Sequence, residues 1–277
     1  MDRYAVIGHP VAHSKSPLIH RAFAAQTGQT LSYEALLAPL DGFADTVAAF
    51  RREGGRGANV TVPFKLEAHA LCDTLSPRAQ MAGAVNTLSF RNGEIFGDNT
   101  DGAGLVRDLS VNLATPLSGR RLLLLGAGGA ARGAILPLLA ERPALLRIAN
   151  RTVARAEELV ALFAPHAGET HLQASSFANL SGQSFDVVIN ATSASLSDTA
   201  PDLPGGLYAP GALAYDMMYG QHDTPFMTQA HSQGASHCAD GLGMLVEQAA
   251  ESFLLWRDVR PDTAQVLQNL RQGCATG

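Results

Sequence analysis

A run of leucines that leads directly into a glycine-rich turn restricts the fold of this chain more than any other feature. Residues 122–125 are four leucines typical of a buried strand, residues 126–131 read Gly-Ala-Gly-Gly-Ala-Ala, and an apolar helical pattern follows. Glycines at a strand-to-helix turn permit a tight bend and let backbone N–H groups approach a pyrophosphate at the positive end of the helix. The motif therefore predicts a dinucleotide-binding unit of the Rossmann type, with a tight turn that binds nothing as the alternative.

Strand and helix patterns alternate along the chain in two blocks, separated by a linker-like stretch at residues 113–119. Alternation of this kind favours mostly parallel sheets covered by helices. We therefore predict an α/β protein of two lobes. One lobe covers residues 1–103, to which the helical segment 245–277 returns, and the nucleotide-binding lobe covers residues 104–244. The predicted strands are residues 4–8, 31–37, 58–62, 122–125, 146–149, 187–189 and 212–215.

Composition excludes several classes of protein. Of the 277 residues, 46% are apolar and 16% are charged, which is typical of a globular chain, and the net charge of -5 gives no drive toward nucleic acid. No apolar run approaches the roughly 18 residues of a membrane span, and the N-terminus enters a strand pattern without an apolar leader. The three cysteines have neither disulfide nor zinc spacing. We expect a soluble, cytoplasmic protein with no bound metal.

The residues after the second strand of the nucleotide-binding lobe predict the identity of the cofactor. About 20 residues beyond the glycines, an acidic side chain would bind the ribose 2′-hydroxyl of NAD, whereas arginine accommodates the 2′-phosphate of NADP. Here Asn150, Arg151 and Thr152 follow the strand, and Arg155 stands where a capping box would place Glu or Gln. A cation in the first turn of a helix opposes the helix dipole. The two arginines therefore favour NADP, with two solvated surface arginines as the alternative.

Lys65 is the leading candidate for proton transfer. The chain contains twenty cationic residues, of which only Lys15 and Lys65 are lysines and the other eighteen are arginines. Arginine keeps its proton in proteins, whereas the pKa of a lysine falls readily when the amine is partly buried. Lys65 follows a predicted strand that presents Asn59 and Thr61 on one face, at the sheet edge where ligands of α/β proteins bind. The alternatives are a solvated cation at a helix start and a drift to arginine that left two lysines by chance.

A second polar cluster follows in the same lobe. Residues 98–102 read Asp-Asn-Thr-Asp-Gly. Either Thr100 or Asp101 is a good cap for the next helix, but capping does not explain the whole run. If Asp101 faces Lys65, the two side chains can share hydrogen bonds to a substrate hydroxyl.

The loop after the first strand carries Ser14 and Ser16. Ser16 also precedes a proline, which is typical of an ordinary helix N-cap. Neither serine has the nearby His and Asp that would make it a nucleophile. The histidines of this region, His9, His13 and His20, lack metal-ligand spacing, and we expect them in loops or on the surface.

Taken together, these motifs resemble the shikimate dehydrogenase family over nearly the whole length of the chain. Members of that family are NADP-dependent enzymes that reduce 3-dehydroshikimate to shikimate in the aromatic amino-acid pathway. The resemblance rests on residues 14–17 (Ser-Lys-Ser-Pro), 59–65 (Asn-Val-Thr-Val-Pro-Phe-Lys), 83–87 (Gly-Ala-Val-Asn-Thr), 97–102 (Gly-Asp-Asn-Thr-Asp-Gly), 126–132 (Gly-Ala-Gly-Gly-Ala-Ala-Arg), 150–152 (Asn-Arg-Thr), 190–193 (Asn-Ala-Thr-Ser), 215–219 (Tyr-Asp-Met-Met-Tyr) and 241–245 (Gly-Leu-Gly-Met-Leu).

The resemblance implies a role for each matching residue. Lys65 and Asp101 would form the catalytic pair, with Lys65 as proton donor and acceptor. The residues implied to bind shikimate are Ser14, Ser16, Thr61, Asn86, Asp101, Tyr219 and Gln248. Those implied to bind NADP are Gly126, Ala127, Gly128, Gly129 and Ala130 at the pyrophosphate, Asn150, Arg151, Thr152 and Arg155 at the 2′-phosphate, and Met217 and Gly241 beside the nicotinamide.

The family fold likewise implies an N-terminal α/β substrate-binding lobe and a C-terminal Rossmann-type NADP-binding lobe with a cleft between them. The partners it implies are the small molecules shikimate and 3-dehydroshikimate, and neither nucleic acid nor a membrane. Assembly into a homodimer is left open.

One position departs from the family pattern, and other functions remain as alternatives. Ser195 stands where the family usually has glycine, which bears on cofactor affinity if that backbone needs a positive φ. A quinate/shikimate dehydrogenase that uses NAD shares the core motifs, and a non-catalytic NADP-binding sensor would share the fold. Methylenetetrahydrofolate dehydrogenases share the two-lobe plan, but the polar cluster of Ser14, Ser16 and Asn86 suits a polyhydroxy acid better than a pterin.

Overall fold

The computed structural model describes residues 1–192 and 199–273, which form two compact units. The first unit consists of Met1–Gly104 and the segment that begins at Leu245, and the second unit is Leu105–Met244. Each unit contains a six-stranded sheet with helices, so the predicted α/β fold with two lobes is confirmed. Within the described ranges, no helix combines the length and the apolar character that crossing a bilayer requires.

The secondary structure alternates between strands and helices along most of the chain. The elements are, in chain order, β1 (Asp2–Gly8), α1 (Ser16–Thr27), β2 (Leu31–Leu37), α2 (Phe43–Arg52), β3 (Gly55–Val60), α3 (Lys65–Leu71), β4 (Thr74–Leu75), α4 (Pro77–Ala82), β5 (Thr87–Arg91), β6 (Glu94–Asp98), α5 (Asp101–Arg107), β7 (Arg121–Leu125), α6 (Gly129–Ala140), β8 (Leu145–Ala149), α7 (Val153–Phe163), β9 (His171–Ser175), β10 (Phe185–Asn190), β11 (Tyr208–Asp216), α8 (Pro225–Ser232), β12 (His237–Ala239), α9 (Leu242–Arg257) and α10 (Ala264–Arg271). A π-helical turn, Asp108–Asn112, continues α5.

The sheet of the first unit is mixed rather than wholly parallel. Its strand order is β2-β1-β3-β5-β6-β4, in which β1 pairs in parallel with β2 and β3, and β5 is antiparallel to β3 and β6. Asn92 and Gly93, between β5 and β6, have positive φ angles of 53° and 84°, the type I′ geometry that an Asn-Gly pair favours in hairpins. This hairpin is absent from the strands predicted above, although Asn92-Gly93 is a local signal for it.

The sheet of the second unit is parallel throughout, in the order β12-β11-β10-β7-β8-β9. The four leucines of β7 have no exposed surface, as expected for the central strand of a parallel sheet. The chain order reverses beside β7, because β8 and β9 lie on one side of it and β10 to β12 on the other. Ligands of open α/β sheets bind at the carboxyl ends of the strands at such a reversal.

Ion pairs hold the segment before α10 against α9 in the first unit. Arg260 pairs with Glu247 and Glu251 of α9, and the Thr263 hydroxyl donates to Glu247 at 2.6 Å. Glu247 has no exposed surface. Burying a carboxylate is costly unless charged and hydrogen-bonding partners compensate it, so these contacts fix the path of the chain after α9.

His20 is buried, so its predicted location in a loop or on the surface is wrong. It lies in α1 with 1% exposure, between the core residues Ile19 and Phe23, and its ring stacks on Tyr33 at 4.2 Å with the planes 5° apart. Its Nε2 has no hydrogen-bond partner among the described residues. Burial lowers the pKa of His20 from 6.5 to about 3, against the smaller, opposite effect of a hydrogen bond with Asn59. The imidazole therefore stays neutral and packs as an aromatic core residue.

We expect His20 to make the protein less stable as the pH falls from 6.5 toward 3. The unfolded chain takes up a proton on this residue at its ordinary pKa and the native state only near pH 3, so the free energy of unfolding decreases across that range. Between about pH 7 and pH 5.5, the wild type should lose about 1 kcal/mol more than His20→Phe in urea unfolding. His13→Gln, at an exposed histidine, is the control. Equal losses in the wild type and His20→Phe would contradict this expectation.

Candidate active site and cofactor cavity

Lys65 and Asp101 form a close ion pair in the first unit. Lys65 is the first residue of α3 and Asp101 the first residue of α5. Phe64, which is fully buried and stacks on Phe43 with ring centroids 4.9 Å apart, anchors the start of α3. Lys65 Nζ lies 2.6 Å from Asp101 Oδ2, and the two side chains are 32% and 20% exposed. The pair is therefore shielded on most sides and still accessible to a small molecule.

The buried side chain of Asn86 holds the second oxygen of Asp101. Asn86 Nδ2 donates to Asp101 Oδ1 at 2.8 Å and also lies 2.9 Å from Thr100 Oγ1 and 3.2 Å from Gln248 Oε1. The N–H of Thr100 donates to Asn86 Oδ1 at 2.8 Å. Asn86 is 2% exposed, and backbone hydrogen bonds to β3 and β6 fix its position. Each oxygen of Asp101 therefore has its own donor, which sets the orientation of the carboxylate.

Arg78 and Asp98 hold the loop that leads to Asp101. The Arg78 guanidinium donates to both oxygens of Asp98, at 2.7 and 2.6 Å, and the Ser76 hydroxyl donates to Asp98 Oδ1 at 2.5 Å. Burial alone would raise the pKa of Asp98, but these hydrogen bonds and the charge of Arg78 hold it below its usual value. Asp98 accepts from the N–H of Asn99, whose Oδ1 accepts from the N–H of Asp101. Arg78 is not among the residues predicted from the sequence, because no pattern near it indicates a partner twenty residues later in the chain.

Ser14, Ser16 and Thr61 lie at the carboxyl edge of the sheet of the first unit. Ser14 belongs to the β1–α1 connection and Ser16 is the first residue of α1, and the N–H of Ser16 donates to Ser14 Oγ at 3.3 Å. Thr61 directly follows β3, and its N–H donates to the carbonyl of Ile7 at 2.9 Å. The predicted role of Ser16 as a helix N-cap is wrong, because Lys15 is the N-cap residue and Ser16 already belongs to α1. The Ser16 hydroxyl therefore has no capping task.

A cavity of about 1070 Å³ lies at the carboxyl ends of β7 to β10 in the second unit. Gly126 has a φ of 103°, and a Cβ there would lie 3.1 Å from the carbonyl oxygen of Ala191. A Cβ at Gly128 or Gly129 would meet nothing within 4 Å, so the backbone at the start of α6 faces open space. This volume and the accessible helix N-terminus fit a dinucleotide. Ser195 lies outside the described residues. The lining residues are Gly126, Ala127, Gly128, Gly129, Ala130, Asn150, Arg151, Arg155, Ser176, Phe177, Ala178, Ala191, Thr192, Thr199, Ala200, Pro201, Asp202, Leu203, Pro204 and Met218.

Arg151 and Arg155 line this cavity with exposed side chains that form no ion pair with any described residue. Thr152 is the N-cap residue of α7, but its side chain makes no capping hydrogen bond, and the first turn of α7 contains no acidic residue. Asn150 Nδ2 donates to the carbonyl of Thr152 at 2.9 Å and so shapes the turn. The start of α7 therefore presents two cations and uncapped N–H groups, an arrangement that suits an anion.

Met217 and Gly241 are in close contact in the same unit. A Cβ at Gly241 would lie 2.2 Å from the carbonyl oxygen of Met217, and the N–H of Gly241 donates to the carbonyl of Met218 at 2.9 Å, so only glycine fits here. Of these three residues, Met218 alone is among those that line the cavity. Tyr219 is 36% exposed, and its pKa is raised by burial and by the charge of Asp240. In the described parts of the chain, no three His, Cys, Asp or Glu side chains are grouped so as to hold a metal ion.

The structure thus gathers the residues singled out in the sequence into two groups, one in each unit. Lys65, Asp101, Asn86 and Gln248 belong to one hydrogen-bonded network of the first unit. The glycine turn and the arginines after β8 share the cavity of the second unit. Tyr219 lies in the second unit but is not among the residues that line this cavity.

Family models match most of the chain. The model for the shikimate dehydrogenase substrate binding domain matches residues 6–88, that for shikimate / quinate 5-dehydrogenase matches residues 108–197, and that for the shikimate 5'-dehydrogenase C-terminal domain matches residues 241–271. The chain is 68% identical over 272 residues to the shikimate dehydrogenase (NADP(+)) of Aromatoleum aromaticum, with 98% of each chain covered.

Solved structures are similar over the same length. The chain resembles an Ael1 enzyme from Pseudomonas putida with a TM-score of 0.92 and 52% identity, covering 98% of each chain. It also resembles shikimate 5-dehydrogenase from Thermus thermophilus in complex with NADP(H) and shikimate, with a TM-score of 0.85 and 35% identity, covering 98% of this chain and 99% of that one.

We expect the double substitution Arg151→Ala and Arg155→Ala to remove the preference for NADP over NAD. The loss of two charge-assisted contacts to the 2′-phosphate should weaken NADP+ binding by about tenfold to a hundredfold. NAD+ lacks that phosphate, so its affinity should change by less than about twofold. Isothermal titration calorimetry with each cofactor measures both affinities. Arg120→Ala removes an exposed cation at the amino end of β7 and should change neither. If the double variant bound NADP+ and NAD+ more weakly by the same factor, a role of these arginines at the 2′-phosphate would be contradicted.

Proposed function

The chain belongs to the shikimate dehydrogenase family of NADP-dependent oxidoreductases, and we propose on that basis that it interconverts shikimate and 3-dehydroshikimate, with Lys65 transferring the proton. The observation that carries this proposal is the fixed arrangement of Lys65, Asp101 and Asn86. In our proposal, residues 1–103 and 245–277 bind the substrate and residues 104–244 bind NADP. The biosynthetic direction is reduction of 3-dehydroshikimate, on the route to the aromatic amino acids.

Lys65 rather than Asp101 exchanges a proton with the substrate. An amide nitrogen only donates, so Asp101 Oδ1 is the acceptor of the hydrogen bond from Asn86 Nδ2. Asp101 Oδ2 receives Lys65 Nζ at 2.6 Å. With both of its oxygens accepting, Asp101 acts as a negative charge of fixed orientation. It directs the amine of Lys65.

The proton and the hydride leave the same carbon–oxygen group during oxidation of shikimate. Bound NADP+ supplies the hydride acceptor, C4 of the nicotinamide. The proton of the 3-hydroxyl passes to the neutral Nζ of Lys65 as the ring carbon loses its hydride, and a carbonyl remains. In the reverse reaction the Lys65 ammonium donates this proton to the oxygen as the carbon accepts a hydride. Asp101 keeps the amine in place through both directions.

The proposed substrate contacts are neutral hydroxyl and amide side chains together with Asp101. Because hydroxyls and amides both donate and accept hydrogen bonds, they suit a ligand that carries several hydroxyls and one carboxylate. Asn86 and Gln248 already meet at 3.2 Å within the network that orients Asp101, which supports their inclusion. The proposed set is Ser14, Ser16, Thr61, Asn86, Asp101, Tyr219 and Gln248.

The proposed cofactor contacts follow the ends of the strands in the second unit. The open backbone at the start of α6 supports binding of the pyrophosphate there. Arg151 and Arg155, which form no ion pair with a described residue, support binding of the 2′-phosphate. The proposed set is Gly126, Ala127, Gly128, Gly129, Ala130, Asn150, Arg151, Thr152, Arg155, Met217 and Gly241.

Lys65→Ala should lower kcat for shikimate oxidation by a factor of about 10² to 10⁴, the usual contribution of general acid–base catalysis, with a smaller effect on KM. Lys65→Arg should not restore the rate, because arginine keeps the charge without giving up a proton. Initial rates at saturating shikimate and NADP+ measure the loss. Lys15→Ala, at the other lysine, should keep its kcat and serves as the control. A Lys65→Ala variant with near-normal kcat would rule out this role for Lys65.

A further inference from the structure

We propose that Asp216 is a positioning residue for the cofactor, because its buried carboxylate joins the ends of β10 and β11 and so shapes the cavity wall on the nicotinamide side. The inference rests on the proposed assignment of this cavity to NADP. Asp216 is the last residue of β11 and has no exposed surface. It is not among the residues that line the cavity, so it acts through its neighbours.

The two oxygens of Asp216 connect three segments of the chain. Oδ1 accepts from Asn190 Nδ2 at 3.2 Å and from the N–H of Met218 at 3.0 Å, and Oδ2 accepts from the Thr224 hydroxyl at 2.6 Å. Asn190 ends β10, and Thr224 is the N-cap of α8, where its oxygen accepts from the N–H of Met227. One carboxylate therefore ties two adjacent strand ends and the start of a helix to each other.

These contacts reach the cavity through short connections. Asn190 Oδ1 accepts from the N–H and the hydroxyl of Thr192, at 3.1 and 2.7 Å, and the Asn190 carbonyl accepts from the N–H of Met217 at 3.0 Å. Thr192 and Met218 line the cavity, whereas Asn190 does not. The buried carboxylate therefore fixes the positions of Thr192 and Met218 in the cavity wall without lining the cavity itself.

The strand order indicates which half of the cofactor these wall segments meet. Arg151 and Arg155 follow β8 on one side of β7, the glycine turn follows β7 itself, and β10 and β11 lie on the other side. A dinucleotide with its 2′-phosphate at the arginines and its pyrophosphate at the glycines must extend toward β10 and β11. Loss of Asp216 should therefore affect the nicotinamide half and spare the adenosine half.

Binding of NADP+ and of 2′,5′-ADP, which lacks the nicotinamide half, separates the two effects in isothermal titration calorimetry. Asp216→Ala should weaken NADP+ binding by about tenfold, because the N–H of Met218 and the amide of Asn190 lose their acceptor. Its affinity for 2′,5′-ADP should change by less than about twofold, since that ligand binds away from the altered wall.

Asp216→Asn distinguishes positioning from a need for buried charge. Its carbonyl oxygen can still accept from Asn190 and Met218, and its NH₂ group can donate to Thr224, so most of the NADP+ affinity should return. Three results would overturn the proposal: unchanged NADP+ affinity in Asp216→Ala, equal weakening of both ligands, or no recovery in Asp216→Asn.

Matched variants keep the experiment decisive. Asn190→Ala removes the bridging amide and should reproduce the Asp216→Ala pattern if the latter does not fold; wild-type NADP+ affinity there would also overturn the proposal. Asp186→Asn is the control. It changes a carboxylate at the amino end of β10, which accepts from the N–H of Arg121, and the affinities for NADP+ and 2′,5′-ADP should not change.

The cavity assignment has its own readout in the same titrations. The variant with Arg151→Ala and Arg155→Ala should bind 2′,5′-ADP about tenfold or more weakly, because that ligand retains the 2′-phosphate. Unchanged 2′,5′-ADP affinity there would refute the cavity assignment whatever Asp216 does. If the double variant binds 2′,5′-ADP more weakly while Asp216→Ala binds NADP+ with unchanged affinity, only the role of Asp216 is refuted.

Discussion

The hydrogen bond from Asn86 to Asp101 is the interaction on which the site of the first unit depends. Asn86 is held by backbone bonds to two strands, and its buried amide meets Asp101, Thr100 and Gln248 at once. Leaving a buried polar group unpaired costs about 1–3 kcal/mol, so each member of this group limits the positions of the others. A partly exposed ion pair such as Lys65–Asp101 is by itself worth at most about 1 kcal/mol. Its fixed direction comes from the network behind it.

The two units position their polar groups by different means. In the first unit, side-chain amides and carboxylates converge, which gives the directional donors and acceptors that hydroxyl groups require. In the second, the positive φ of Gly126 and the open backbone at Gly128 and Gly129 expose a helix N-terminus, which attracts phosphate through its dipole and N–H groups. In our proposal, the second unit also uses one side chain for positioning. The buried carboxylate of Asp216 links the ends of β10 and β11 next to the cavity.

Local patterns in the sequence predict elements that are contiguous in the chain, whereas contacts between distant segments leave no such pattern. The strand, the glycine turn at residues 126–131 and the following helix are contiguous, and the structure has them as β7 and α6. The helix start at Ser16 was misplaced by one residue, since a Ser-Pro pair is compatible with two registers. The burial of His20 depends on Tyr33 of another strand. Likewise, Arg78 meets its carboxylate partner twenty residues later in the chain, and no periodicity encodes that meeting.

In a chain with only two lysines, the structure explains why position 65 is a lysine rather than an arginine. Asp101 offers only one oxygen to Lys65, because Asn86 donates to the other. A guanidinium binds a carboxylate best through two parallel N–H···O bonds, so an arginine here would compete with Asn86 for Oδ1 and loosen the network. An ammonium needs a single oxygen, keeps its remaining directions for a substrate and can release a proton. Geometry and proton chemistry therefore favour lysine at the one place in this network where an arginine, the usual cation of the chain, would fit poorly.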